Sequence, residues 1–286
     1  MYRKAYGIIE TLAPLHVGAT AGEESGNLNL IFRDQFTQTG IVPGSSIRGR
    51  LRSEMRQGDH DENYWYGKAA ENKSKKAAEN DAESEKDNQQ SESIVKFEYA
   101  SLLWLPVFCP GQPIVWVTSP KLLKRYQRIV GAHNLTLKAA KLPEVYTRSA
   151  TLTPLNINKE EKLFFNFGFL TLKGISDLSV WFPLGEELPA IVVADDEIGM
   201  IHDMALYRQS RVRLKDDEKR VDGGGFFNTE ALPEGTQMVF PIAIRPTEKD
   251  TWQPFGDGVD SQDIYLGGLE SIGFGNCQIT LKGDLS

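Results

Sequence analysis

Four arginines follow a tight turn and two serines near residue 45, and the grouping is chemically capable. The stretch Ile41-Val42-Pro43-Gly44-Ser45-Ser46-Ile47-Arg48-Gly49-Arg50-Leu51-Arg52 opens on a Pro-Gly turn signal, where proline fixes φ and glycine accepts φ above zero. Ser45 and Ser46 offer N-cap oxygens to a helix expected from near Ile47 to about Arg56. A helix start carries unpaired N–H groups and about half a positive charge, so it attracts phosphate. Arg48 and Arg52 share a face at i, i+4, with Arg56 one turn on. The pattern suits gripping a nucleic-acid backbone; it also describes an ordinary amphipathic helix with solvated arginines.

Two further basic runs extend the theme. Residues 121–148 carry Lys121, Lys124, Arg125, Arg128, Lys138, Lys141 and Arg148 against Glu144 alone. Arg208, Arg211, Arg213, Lys215, Lys219 and Arg220 form a second cluster, interrupted by Asp216, Asp217 and Glu218. The net charge is −7, but residues 57–96 hold ten acidic against six basic side chains, so much of the acidity is local. Local basic faces on an acidic body fit RNA binding inside an assembly better than non-specific binding by a free subunit. Gly267, Gly268, Gly273 and Gly275 punctuate a late loop but match neither a dinucleotide fingerprint nor a phosphate-binding P-loop. Four scattered histidines give no metal-ligand spacing, and Cys109 and Cys277, far apart, suit a reducing compartment rather than a zinc cage.

The elements that must position these residues read as α+β. Forty per cent hydrophobic and 25% charged residues are values of a globular chain large enough for one sizeable core. No apolar run is long enough to span a membrane and the amino terminus lacks a signal-peptide core, so a cytoplasmic protein is expected. Strands are expected at 2–13, 30–32, 97–99, 102–107, 114–118, 164–172, 178–182, 238–244 and 277–281. Ser119-Pro120 starts a helix that turns Leu122, Leu123, Tyr126, Ile129 and Val130 inward. Further helix is expected at 135–141 and between Val193 and Leu206, with Asp195-Asp196 at its start. Residues 18–29 lack periodicity and read as a mobile or ligand-held loop. Residues 67–96, rich in Ala, Glu, Lys, Asn, Ser and Gln, read as a disordered insertion, with a solvated helix as the alternative. Residues 211–221 form a hairpin candidate with only Val212, Leu214 and Val221 apolar, so it protrudes rather than joining a core.

Taken in order, several motifs resemble the RAMP superfamily of CRISPR proteins. They are His16-Val17-Gly18, Arg33-Asp34, the Pro43–Gly49 helix start and the closing Gly267-Gly268-Leu269-Glu270-Ser271-Ile272-Gly273-Phe274-Gly275. The runs Leu102–Val107, Trp116–Pro120 and Glu230–Thr236 resemble the backbone-subunit branch of type III effector complexes. The resemblance spans nearly the whole chain as one domain, 1–286. It implies a ferredoxin-like, RNA-recognition-motif-like core with insertions, and a thumb-like β-hairpin at 208–224 that pushes between nucleotides of a guide–target duplex.

The same resemblance implies crRNA, target RNA and other type III subunits as partners, and no membrane. Guide RNA would lie along Ser45, Ser46, Arg48, Arg52 and the glycine loop, with Gly268, Ser271 and Gly273 as contacts. His16, Arg33, Arg211, Arg213 and Leu214 complete the expected RNA-facing set. The family's cleavage aspartate lies five positions before the arginine of its Arg-Asp/Glu pair; here that position is Leu28, flanked by Asn27 and Asn29. A neutral amide is a poor cation ligand and a poor base, so a binding subunit without its own cleavage activity is expected, needing no cofactor. One alternative is a Mg²⁺-dependent endoribonuclease in which His16 with Asp34 or Glu24 replaces the aspartate. Another is a guide-processing nuclease that uses His16 for metal-free acid–base chemistry.

Overall fold

The computed structural model describes residues 1–18, 28–58, 60–67, 92–166, 168–214, 221–247 and 251–285. The amino-terminal part supplies β1 (Arg3–Thr11), β2 (Leu28–Asn29), β3 (Ile41–Val42), α1 (Gly44–Gln57), α2 (Glu62–Tyr66) and β4 (Val95–Phe97). A long meander follows in β5 (Ala100–Cys109) and β6 (Gln112–Thr118), then α3 (Pro120–Val130), α4 (Leu135–Ala139) and β7 (Thr147–Arg148). Next come β8 (Leu155–Ile157), β9 (Glu160–Phe165), β10 (Gly168–Thr171), β11 (Gly174–Ile175), β12 (Ala190–Val192) and α5 (Ile198–Ala205). The chain closes with β13 (Tyr207–Leu214), β14 (Val221–Ala231), β15 (Gln237–Ile244), β16 (Ser261–Tyr265) and β17 (Asn276–Gly283).

Among the described residues eleven strands join one sheet, in the order β11-β7-β12-β6-β5-β15-β1-β17-β16, with β3 added to β5 and β4 to β15. Period-two alternation gives this sheet two apolar faces. On β1, Ala5 and Ile9 face Ile47, Leu51 and Met55 of α1 and Trp65 and Tyr66 of α2. Tyr6 and Ile8 face the other way, toward Leu123, Tyr126 and Val130 of α3 and Leu137 of α4. Each such side chain contributes about 1.5–3 kcal/mol by leaving water. Trp104 anchors this second layer: its ring stacks on Phe182 at 4.4 Å and its Nε1 donates to the Trp181 carbonyl at 3.0 Å. Cys109 and Cys277 are free and buried, and burial pushes the Cys277 thiol up to about 12. No helix among the described residues is long and apolar enough to cross a membrane.

The fold is mixed α+β, rich in sheet with few helices, as the patterning requires. Several expected elements differ. Residues 30–32 hold a single bridge, Ile31 with Gly18, rather than a strand, and Arg33 bridges to Gly40 just beyond. The run 164–172 is divided between β9 and β10, which pair as a hairpin; Gly168 takes φ +147°, a break the apolar pattern does not reveal. Residues 178–182 hold a 3-10 turn instead of a strand. Asp177 Oδ1 accepts from the Ser179 amide at 3.0 Å and its hydroxyl at 2.6 Å, and this local bonding competes with a ladder. Most of the expected insertion 67–96, namely 68–91, lies outside the described residues, as do 19–27 of the expected loop 18–29. The insertion's expected end is corrected: Ile94 and Val95 are core residues, and Val95–Phe97 pairs with β15 because that apolar pair has a sheet edge to cover.

Candidate nucleic-acid interface

Helix α1 begins at Gly44, with Pro43 rather than a serine as N-cap. The Pro43 carbonyl accepts from Ser46 N at 3.0 Å and Ile47 N at 3.2 Å, so Ser45 and Ser46 lie in the first turn and make no capping bond. Gly44 permits close seating: a Cβ there would lie 2.6 Å from the Phe97 carbonyl oxygen. The arginines behind this start are engaged. Arg48 donates to the Tyr66 carbonyl and sits over the Tyr66 ring at 5.9 Å. Arg52 donates to Asn63 Oδ1 at 2.7 Å, Arg56 pairs with Glu62 at 3.2 Å, and Arg50 pairs with Glu54. Helix α2, which the sequence reading did not anticipate, is what Arg48, Arg52 and Arg56 hold.

The His16 segment and the glycine loop are one structure. Gly268 N donates to the His16 carbonyl at 3.0 Å and Gly275 N to the Pro14 carbonyl at 2.9 Å. Gly267, at φ +77°, comes so close that a Cβ would lie 2.1 Å from the His16 oxygen. Ser271 and Gly273 stay exposed on the outer side of the loop. Buried Phe274 turns inward, edge-on to Tyr207 at 5.9 Å and beneath the Arg211 guanidinium at 5.0 Å. The base of the β13–β14 hairpin is thereby fixed to the glycine loop. That hairpin is longer than expected, pairing from Tyr207↔Ala231 out to Leu214↔Val221, and Val212 is exposed. Arg213 and Leu214 belong to β13 by backbone; their side chains, like residues 215–220, lie outside the described set.

Arg33 sits in a ring of four charges. It pairs with Asp203 and with Glu230, both at 3.0 Å, and Arg208 pairs with the same two acids at 3.1 and 3.2 Å. Glu230 is almost fully buried, and its backbone carbonyl lies 2.7 Å from His16 Nδ1. A carbonyl only accepts, so His16 carries its proton on Nδ1 and, in the neutral ring, presents a lone pair at Nε2. Burial works to raise the Asp203 pKa, but the Arg33 and Arg208 guanidiniums hold it below the usual carboxylate range. Adjacent His202 is fully buried and accepts the Gly40 amide at 2.9 Å. Burial first, then Arg33, lowers its pKa to about 3. Nothing in the spacing of Asp203, His202 and Glu230 announced this network; only the topology brings α5, β13 and β14 to Arg33.

Among the described residues no three His, Cys, Asp or Glu side chains converge as metal ligands. Asp34 is occupied: its Oδ1 accepts from Phe36 N at 3.0 Å, Thr37 N at 2.8 Å and the Thr37 hydroxyl at 3.0 Å, and its Oδ2 from Tyr99 at 3.3 Å. Partial burial works to raise its pKa, and these bonds hold it below the usual range. Leu28 and Asn29 run parallel to β14 opposite Asn228 and Thr229; Glu24 and Asn27 lie outside the described residues. Each Asp34 carboxylate oxygen already accepts a hydrogen bond within the fold.

A sheet-rich α+β domain with a glycine loop packed on an H-x-G segment defines the class: residues 8–278 match the RAMP superfamily, and the chain belongs to that family. The CRISPR system Cmr endoribonuclease Cmr4 of Pyrococcus furiosus is 25% identical to it, over 98% of this chain and 96% of that one. Among solved structures, a type III-B Cmr-beta complex bound to cognate target RNA contains a chain that superposes with a TM-score of 0.72 at 18% identity, covering 97% and 96%. Oligomeric Cmr4 from Pyrococcus furiosus superposes at 0.67 and 17% identity over the whole of both chains. These likenesses establish the fold.

Proposed function

We propose that this chain is the crRNA-binding backbone subunit of a type III CRISPR effector complex, holding the guide and displaying it to target RNA beside other subunits in the cytoplasm. The observation that carries this is the single continuous surface made by the His16 segment, the glycine loop and the hairpin base, joined through Gly268 and Phe274. Guide phosphates meet the α1 start at Ser45 and Ser46 and the loop at Gly268, Ser271 and Gly273. Arg48 and Arg52 serve that start from behind, by fixing α2 against it. Arg33 acts in the same indirect way, holding the floor of the site through Glu230. In this reading the large sheet contains a ferredoxin-like core, and the β13–β14 hairpin is a thumb whose Arg211 base is anchored while Arg213 and Leu214 extend toward RNA. The names of the relatives, a Cmr endoribonuclease and a complex bound to target RNA, support the assignment to such an assembly.

The test is guide retention after co-expression with partner subunits. Ser45→Glu with Ser46→Glu places anionic groups at the helix start, where they favour the helix but repel phosphate. Guide recovery is expected to fall about tenfold with thermal stability unchanged; full recovery would sink the assignment. With Leu28 in the aspartate position, target RNA opposite this subunit is bound and left uncut, and no cofactor is needed. The relative's name as an endoribonuclease favours a second reading, Mg²⁺-dependent cleavage. Cleavage mapping in Mg²⁺ separates them: a cut that vanishes in His16→Ala while binding persists establishes the second.

A further inference from the structure

We infer that a groove along helix α3 is a second single-stranded RNA track, on the opposite side of the main sheet from α1. The inference rests on the reading of this chain as an RNA-binding subunit and adds a surface that reading does not use. The groove has a volume of about 740 Å³ and runs between α3, Lys138 near the end of α4 and the turn that follows Asp34. Its rim is cationic. Lys121, Lys124 and Arg128 recur along one face of α3 over about 10 Å, and Lys138 of α4 adds a fourth charge. All four are exposed, and among the described residues none has a carboxylate partner.

Arg125, on the same face, is different. It donates to Ser101 Oγ at 2.8 Å and to the Tyr99 carbonyl at 3.4 Å, and it lies 4.3 Å over the Tyr99 ring, so it forms part of the floor. The acid in the groove, Asp34, has both oxygens taken by hydrogen bonds. Phe36 projects from the turn 80% exposed, with Lys121 Nζ 5.7 Å from its ring centroid. A large apolar ring held in water beside a lysine, at the mouth of a groove rimmed by four cations that have no carboxylate partner among the described residues, has the parts of a single-strand site. Cations track the phosphates and the ring face stacks a base, whatever its identity. An acidic protein segment would satisfy the cations but leave the ring without a role, so RNA is the better occupant.

The experiment compares Lys124→Gln with Arg128→Gln, Phe36→Ala, and Ser45→Glu with Ser46→Glu, each checked for an unchanged melting temperature. Binding of a labelled oligouridylate is followed across salt concentration. The double glutamine variant is expected to lower the log–log slope by about 1.4, because each lost phosphate contact of a single strand removes about 0.7. Phe36→Ala is expected to weaken binding about tenfold. In the assembled complex, 4-thiouridine placed in the guide or in the target is expected to crosslink to the peptide bearing Phe36, and the strand that does so is the source of the RNA. No binding at low salt, an unchanged slope, or failed assembly with an unchanged slope overturns the groove, the last by making it a protein-docking face. If only the Ser45/Ser46 variant loses RNA, the first reading stands and the groove falls. If only the groove variants lose it, the groove stands and the guide track at α1 falls.

Discussion

Helices α1 and α3 each carry four cationic residues, and the structure uses them in opposite ways. On α1 the guanidiniums of Arg48, Arg50, Arg52 and Arg56 all reach acceptors within α1 and α2. On α3 Arg125 is so engaged, with Ser101, Tyr99 and Glu98, while Lys121, Lys124 and Arg128 are exposed and have no carboxylate partner among the described residues. The acids and carbonyls explain the difference: α1 carries Glu54 and lies beside α2 with Glu62, Asn63 and Tyr66, whereas α3 has no acid of its own. A count of positive charge therefore ranks the two helices equally, and the supply of local acceptors decides which one remains available to a phosphate.

That contrast can be broken most forcefully at Glu230, the buried acid that neutralises Arg33 and Arg208. Glu230→Ala leaves two cations facing Asp203 alone and is expected to cost about 3 kcal/mol, read as a drop in denaturation midpoint. A neutral result would show that Arg33 is not engaged after all. Next in size is an acid effect at His202. Its folded-state pKa is depressed below the unfolded value near 6.5, so the unfolded chain takes up a proton that the folded one refuses. Stability is complete above pH 6.5 and falls, by up to about 1.4 kcal/mol per pH unit, as pH drops toward 3. His202→Gln keeps an acceptor for Gly40 and is expected to remove this component; an unchanged pH profile would mean that His202 protonates freely in the fold.

Arg48→Ala with Arg52→Ala is expected to cost about 1–3 kcal/mol through lost bonds to α2, with a salt slope of RNA binding that changes by less than about 0.5. A slope loss near 1.4 with unchanged stability would reverse the comparison and return these arginines to phosphate. The smallest expected effect on folding is at α3. Lys124→Gln with Arg128→Gln should alter stability by no more than about 0.5 kcal/mol, since both side chains are exposed and neither is in an ion pair among the described residues.

The architecture was legible where one physical signal dominated. Alternation located β1, apolar, β-branched and aromatic runs located β5, β6, β15 and β17, and the Ser-Pro pair located α3 to the residue. The site was legible only as segments. His16, Arg33 and the glycine loop could be named, but the contacts joining them span more than 200 residues of sequence, as from His16 to Glu230. Caps were misread for a related reason. Ser119 holds the N-cap position of α3 but makes no side-chain capping bond; Asp195 Oδ1 accepts the Lys121 amide instead, at 2.9 Å, from a loop 74 residues away. A serine beside a helix start advertises a local bond; a better acceptor brought by the fold displaces it.

The two cysteines have a practical consequence. Both thiols are buried, and burial raises both their pKa values, Cys277 to about 12, so neither presents a thiolate to a maleimide at neutral pH. The native chain is thus a silent background for site-directed labelling. A cysteine introduced at Ser271 or Phe36, both exposed, would be the reactive position, and a dye on each would report separately on the glycine loop and on the groove.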